Sequence, residues 1–95
     1  MTEADLSKKV KKWLTDQRIY HFKKPQGKFV TRKGIADYIL CVKGKFIALE
    51  LKSSTGRLSK AQKNERVMVM HAEGTYIEAN PENWELVKLR LKEVA

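Results

Sequence analysis

The chain has 95 residues and a formal net charge of +9, from 20 Lys and Arg against 11 Asp and Glu. A chain of this length builds one core, so a second domain is excluded and residues 1–95 are expected to form a single domain. Because an excess of positive charge repels itself, the charge balance predicts an anionic partner, with nucleic acid as the leading candidate.

The first predicted element is a helix that starts at Thr2 and ends near Gln17. Thr2 can cap the first turn, which carries Glu3 and Asp5, and one apolar stripe recurs at helical spacing: Leu6, Val10, Trp13 and Leu14. Residues 19–24 then favour a strand. Pro25-Gln26-Gly27 favours a turn, and residues 28–32 favour a short returning strand before Gly34.

The next element is a hairpin whose two-residue loop is Lys43-Gly44, since Gly can adopt the positive φ that such a turn requires. Counting outward from the loop pairs Val42 with Lys45, Tyr38 with Leu49 and Asp37 with Glu50. Both faces of these two strands are largely apolar. We therefore expect a central pair of strands that is covered by helices on both sides.

A second helix is predicted after Ser59, which forms a capping box with Gln62, and it runs to about Glu73, before Gly74. Residues 75–79 favour a strand beside the hairpin. A last helix is expected with Asn80 as its cap and Pro81 in its first turn, and its core stripe is Trp84, Val87 and Leu91. The predicted fold is α/β, in the order α-β-β-β-α-β-α, with a mixed central sheet flanked by helices.

Cysteine content and hydropathy indicate the cellular compartment of the protein. Cys41 is the only cysteine, so an intrachain disulfide is excluded, and no Cys/His spacing indicates structural zinc. The sequence contains neither a signal-like start nor the roughly 18 consecutive apolar residues of a membrane span. We expect a cytoplasmic protein with no membrane partner. Cys41, the tyrosines and the tryptophans are expected in the core.

The predicted register places two carboxylates side by side. Residues opposite one another in an antiparallel pair have Cβ atoms roughly 5 Å apart and share a face, so Asp37 and Glu50 are expected to meet. Lys52 lies two residues further on the same face. Carboxylate oxygens held together suit a hard divalent ion, which predicts a Mg²⁺ or Mn²⁺ site. The alternative is an ordinary charged strand end in which Glu50 pairs with Lys52.

Three motifs together resemble the VRR-NUC family of the PD-(D/E)xK nuclease superfamily. They are Gly34-Ile35-Ala36-Asp37, Glu50-Leu51-Lys52 and Gly56-Arg57-Leu58-Ser59-Lys60-Ala61-Gln62. The resemblance implies a restriction-endonuclease-like core and metal-dependent hydrolysis of phosphodiester bonds in DNA. Small single-domain members of this family are similar to phage or bacterial proteins that act on branched DNA, Holliday junctions included.

The resemblance also implies roles for individual residues. Asp37 and Glu50 correspond to the metal-binding acids, the Leu51 carbonyl to a further ligand, and Lys52 to the catalytic lysine. The family's proline before the Asp is Ala36 here. The remaining correspondences are the acid of the first helix, Glu3, and the glutamine near the active site, Gln62. Each has an ordinary explanation as well, because an acid stabilises the first turn of a helix and Gln62 belongs to a capping box.

The expected function is that of an endonuclease that is selective for DNA structure rather than sequence. The candidate phosphate contacts flank the motif strands: Arg32, Lys33, Arg57 and Lys60. Symmetric resolution of a junction needs two cuts related by a two-fold axis, which predicts a homodimer. Two alternatives remain: a non-catalytic DNA-binding accessory module that retains the nuclease fold, and an RNA-binding or ribosomal protein, for which no exposed aromatic motif stands out.

Overall fold

The computed structural model describes residues 1–25 and 32–94. The elements follow the predicted order: α1 (Glu3–Asp16), β1 (Tyr20–Lys23), β2 (Tyr38–Val42), β3 (Lys45–Leu51), α2 (Lys60–His71), β4 (Thr75–Ala79) and α3 (Trp84–Val94). The predicted turn at Pro25-Gln26-Gly27 and the short strand over residues 28–32 fall largely on residues 26–31, outside the described part of the chain. In the described residues, no helix combines the length and the apolar character needed to cross a bilayer.

The sheet has the strand order β1-β2-β3-β4. β2 and β3 pair in the predicted register, from Val42 opposite Lys45 to Tyr38 opposite Leu49. Both loop residues have positive φ, 49° at Lys43 and 82° at Gly44, as a tight hairpin turn with matching twist requires. β1 joins antiparallel to β2, and β4 joins parallel to β3 after the α2 crossover. The sheet is therefore mixed, with the hairpin at its centre.

The main core lies on one face of the sheet. Leu6, Val10 and Leu14 of α1 are fully buried there, and α3 adds its predicted stripe of Trp84, Val87 and Leu91. The sheet contributes Tyr38, Leu40, Val42, Ile47, Leu49, Leu51, Ile77 and Ala79. Thr2 caps α1 as predicted, and it also forms a capping box with Asp5. Burial of these apolar side chains from α1, α3 and the sheet supplies most of the stabilisation of the fold, because the hydrophobic effect scales with the apolar area removed from water.

The opposite face is covered less completely, by α2, which contains no fully buried side chain. Two residues expected in the core are therefore exposed on this face: Cys41, and Tyr20, whose exposed fraction is 71%. The alternation of the strands is as predicted, but among the described residues α2 is the helix on this face, and it leaves Tyr20 and Cys41 uncovered.

The start of α3 also differs from the prediction. The α-helix begins at Trp84, three residues later than the position directly after Asn80. Asn80 still caps the turn that leads into the helix, because Asn80 Oδ1 accepts a bond from the Asn83 N–H and Asn83 Oδ1 accepts one from the Asn80 N–H, both of 2.8 Å, as in a capping box. These bonds hold Pro81 in a turn before the helix starts. The Asn83 carbonyl then accepts the bond from the Val87 N–H that opens the helix.

Gly34 fixes the approach of α2 to the loop before β2. Its φ is +91°, and a Cβ at this position would overlap the backbone carbonyl of Ala61 and lie 3.1 Å from the backbone nitrogen of Gln62. Only a glycine satisfies both the conformation and the close approach. The contact brings the first turn of α2 against the loop that carries Asp37.

We predict that Gly34→Ala lowers the free energy of unfolding by about 3 kcal/mol, because backbone strain and overlap with Ala61 add together. Gly44→Ala is the matched control. Gly44 also has positive φ but nothing lies within 4 Å of an added Cβ, so only the strain applies and the expected loss is about 1 kcal/mol. Urea denaturation of both variants measures the difference, and equal losses would show that α2 moves aside without cost.

Candidate functional site

The two predicted acids meet at one end of the central hairpin. Glu50 in β3 has an exposed fraction of 2% and is the one buried charged residue in the described part of the chain. Asp37 directly precedes β2, so it lies outside the strand ladder itself. Its Oδ2 accepts a 2.8 Å hydrogen bond from the Leu51 N–H, which fixes its carboxylate beside that of Glu50. The expected juxtaposition is thus present, held by a side chain rather than by a ladder pair.

Glu50 is in an unfavourable environment for a charge. Burial, the negative charge of Asp37 and a hydrogen bond shared with Asp37 raise the pKa of Glu50 from 4.5 to about 8. Its Oε1 is buried and makes no hydrogen bond within the described residues. A buried acceptor without a donor costs free energy, so this oxygen favours either a proton or a cation.

Two lysines offset part of this charge. Lys52 Nζ lies 3.8 Å from Glu50 Oε2, as expected for a lysine two residues after the acid and on the same face of the sheet. Lys24 Nζ lies 3.9 Å from Asp37 Oδ1. The sequence alone did not identify Lys24 as a partner of Asp37, because the segment between the two residues does not indicate how β1 pairs with β2. The main-chain bond from the Lys24 N–H to the Asp37 carbonyl, 2.7 Å, is the structural feature that places it there.

Gln62 performs both of the roles that the sequence left open. Its Oε1 accepts a 2.8 Å bond from the Ser59 N–H, which completes the capping box of α2. Its Nε2 donates a 3.1 Å bond to Glu50 Oε2. One amide therefore ties the start of α2 to the orientation of the buried acid.

Tyr76 of β4 adds a third polar group near the two acids. Its hydroxyl is buried and makes no hydrogen bond within the described residues. Burial, followed by the charges of Glu50 and Asp37, raises the pKa of Tyr76, so that it stays a neutral phenol. A neutral hydroxyl can donate a hydrogen bond without adding to the negative charge of the site.

An open cavity of about 300 Å³ borders Asp37 and Leu51, and Glu3 of α1 lies on its wall. The described residues hold no cluster of three or more His, Cys, Asp and Glu side chains that could bind a metal ion, so Glu3 does not complete such a cluster with the acid pair. The donors that fit a hard divalent ion are the Asp37 and Glu50 carboxylates and the Leu51 carbonyl. The orphaned Oε1 of Glu50 is the observation that supports this fit.

The predicted phosphate contacts are exposed but not equivalent. Arg32 makes a bidentate pair with Glu65 of α2, with hydrogen bonds of 3.1 and 3.0 Å. Lys33, Arg57 and Lys60 are exposed, and the last two flank the start of α2. These three side chains can therefore reach an anion directly, whereas Arg32 must share its guanidinium with Glu65.

Comparison of the chain with models of protein families, with curated proteins and with solved structures finds no match.

We predict that the pH dependence of stability is dominated by Glu50 when metal is chelated. Its pKa is about 8 in the folded protein against an ordinary 4.5, so the folded state retains a proton that the unfolded chain releases. The free energy of unfolding should therefore fall as the pH rises from about 4.5 to about 8. Thermal denaturation in EDTA across this range measures the slope.

Glu50→Gln is the neutral, nearly isosteric control for this measurement. It should flatten the slope and exceed the wild type in stability at pH 8, because no proton is lost from position 50. Added Mg²⁺ should raise the melting temperature of the wild type at pH 8 but not that of the variant. A wild-type profile as flat as that of the variant would contradict the assignment.

Proposed function

We propose that the protein is a Mg²⁺- or Mn²⁺-dependent DNA endonuclease of the VRR-NUC type, selective for branched DNA such as Holliday junctions. The observation that supports this most directly is the buried pair of Glu50 and Asp37, with an orphaned carboxylate oxygen and Lys52 at 3.8 Å. That oxygen favours either a proton or a cation as its partner. A catalytic role accounts for it through a bound cation, and buried acids with raised pKa values are typical of functional sites.

In this proposal each residue has a separate task. A bound divalent ion would supply Lewis-acid stabilisation of the phosphate and a nucleophilic water at neutral pH. Asp37, Glu50 and the Leu51 carbonyl would hold the ion. Lys52 orients the attacking water or stabilises the charge that develops on the phosphorane. Gln62 is a positioning residue, since its amide fixes Glu50 through a 3.1 Å hydrogen bond.

The charge distribution supports DNA as the substrate. The net charge of +9 favours a polyanion, and Lys33, Arg57 and Lys60 are exposed near the loop and helix that position the acids. Contacts of this kind bind phosphates and carry no sequence information, so selectivity is expected for DNA shape. The resemblance to phage and bacterial proteins implies that the reaction takes place in a bacterial cytoplasm.

We predict that cleavage of labelled duplex, flap and four-way-junction DNA requires Mg²⁺ or Mn²⁺ and stops in EDTA. Asp37→Asn keeps an acceptor for the Leu51 N–H but removes the charge, and it should abolish cleavage. Lys52→Ala should retain metal and DNA binding while the cleavage rate falls by about 100-fold or more. Gel assays of product formation, with DNA affinity measured in parallel, provide both readouts.

The control for Lys52→Ala is Lys12→Ala, which also removes one positive charge but from an exposed pair with Asp16 on α1. Its cleavage rate should remain close to that of the wild type. Unchanged cleavage by Lys52→Ala would remove this residue from the mechanism. Tight binding of every DNA with no cleavage under either metal would instead favour the non-catalytic accessory module.

We further predict that the protein acts as a homodimer, because one site per chain cuts one strand and resolution of a junction needs two symmetric cuts. Light scattering should give twice the mass of the 95-residue chain without DNA, and that mass plus the mass of one junction when junction DNA is bound. Paired nicks on opposing strands of the junction are the matching enzymatic result. A monomer under both conditions would contradict this part of the proposal.

A further inference from the structure

Exposed aromatic side chains occupy the face of the sheet that also carries the acid pair. Tyr20 lies opposite Cys41 and Cys41 opposite Phe46, so the three side chains share one face across β1, β2 and β3. Phe22 is two residues along β1 from Tyr20 and projects to the same face. The exposed fractions are 71% for Tyr20, 51% for Phe22 and 48% for Phe46. We call Tyr20, Phe22, Cys41 and Phe46 the aromatic platform.

The aromatic platform is continuous with the candidate active site. Lys24 follows Phe22 by two residues, and its Nζ lies 3.9 Å from Asp37 Oδ1. Phe22, Phe46 and Lys24 also border one cavity of about 240 Å³ between the sheet and α2. Lys24 therefore borders the cavity beside the platform and also contacts one of the two acids.

The charge of the chain decides which occupant fits the platform. Lys24, Arg32 and Glu65 border the cavity of about 240 Å³, and Lys45 and Glu73 border a neighbouring groove next to Phe46. Arg32 pairs with Glu65, so the charges at this border are mixed. The chain as a whole has a net charge of +9, which attracts a polyanion. Flat exposed aromatic rings on a positively charged chain suit nucleobases joined to phosphates.

The exposed rings of the aromatic platform indicate whether the nucleic acid is single-stranded or double-stranded. Bases of an intact duplex are stacked on each other and do not offer their faces to a protein. Unpaired bases do, and they stack on aromatic side chains of an exposed sheet largely irrespective of sequence. We propose that the aromatic platform binds unpaired bases of single-stranded DNA. Resting on the proposed nuclease function, this assignment adds branched DNA with unpaired bases, such as flaps and gapped branches, to the expected substrates.

The first test measures binding of oligothymidylate by fluorescence anisotropy in EDTA, where no cleavage occurs. Tyr20→Ala should weaken binding roughly tenfold, since one stacked base is lost. Tyr20→Phe should retain the wild-type affinity, and Tyr20→Leu should behave as Tyr20→Ala because leucine is apolar without an aromatic face. Leu86→Ala, at an equally exposed apolar position on α3, is the matched control and should bind as the wild type.

The salt dependence separates stacking from charge. Tyr20→Ala should leave the slope of log affinity against log salt concentration unchanged, because no phosphate contact is removed. Lys45→Ala should reduce that slope by about one. Circular dichroism melting curves check that both variants fold. Folding is expected, because the side chains of Tyr20 and Lys45 are exposed.

Cys41 gives an independent readout at the centre of the platform, because it is the only cysteine of the chain and is exposed. Oligothymidylate should slow its reaction with a thiol reagent in the wild type, and duplex DNA should slow it less. Asp37→Asn should show the same protection while it lacks cleavage, so the platform and the nuclease proposal can fail separately.

Two results would overturn the assignment. One is unchanged oligothymidylate affinity in Tyr20→Ala together with an unprotected Cys41. The other is a Tyr20→Ala variant that binds oligothymidylate normally but changes its oligomeric state, which would identify the platform as an interface between copies of this chain.

Discussion

The buried carboxylate of Glu50 beside that of Asp37 is the constraint on which the site depends. Removing a charged group from water costs several kcal/mol unless a partner replaces the lost hydration. Lys52 at 3.8 Å and Lys24 at 3.9 Å are both too distant for short charge-assisted hydrogen bonds, so they offset the charge only in part. The folded protein therefore favours a proton or a cation at this position, and the neighbouring groups are arranged around that requirement.

The position of α2 is coupled to the same carboxylate. The close approach of Gly34 to Ala61 sets the helix against the loop before β2, and Gln62 then bonds both Ser59 and Glu50. The sequence suggested a capping box or a site residue at Gln62 without deciding between them. An amide has one acceptor and two donor hydrogens, so the two roles use different atoms and do not compete. That solution depends on where α2 docks, which local sequence does not specify.

The fold was predictable where local rules decide it. The Lys43-Gly44 loop sets the hairpin register by simple counting, and the meeting of the two acids follows from that register. Tyr20 and Cys41 were assigned wrongly because alternation separates two faces of a strand but does not tell whether a helix covers each of them. Asn80 forms the capping bonds expected of it, but the α-helix begins only at Trp84, because residues 81–83 form a turn that the cap signal does not distinguish from a first helical turn.

The incomplete cover over the second face of the sheet has a physical consequence for access. α2 packs with no fully buried side chain and reaches Glu50 through Gln62, while Tyr20 and Phe46 stay open to solvent. A longer or more apolar α2 would bury these rings and gain stability, but it would also close the path along β1 toward Asp37. Apolar area of this kind exposed beside lysines is costly in water unless a ligand covers it. The same weak cover therefore leaves α2 dependent on a few polar contacts, among them the Gln62 bond to Glu50, and leaves the rings of Tyr20 and Phe46 exposed.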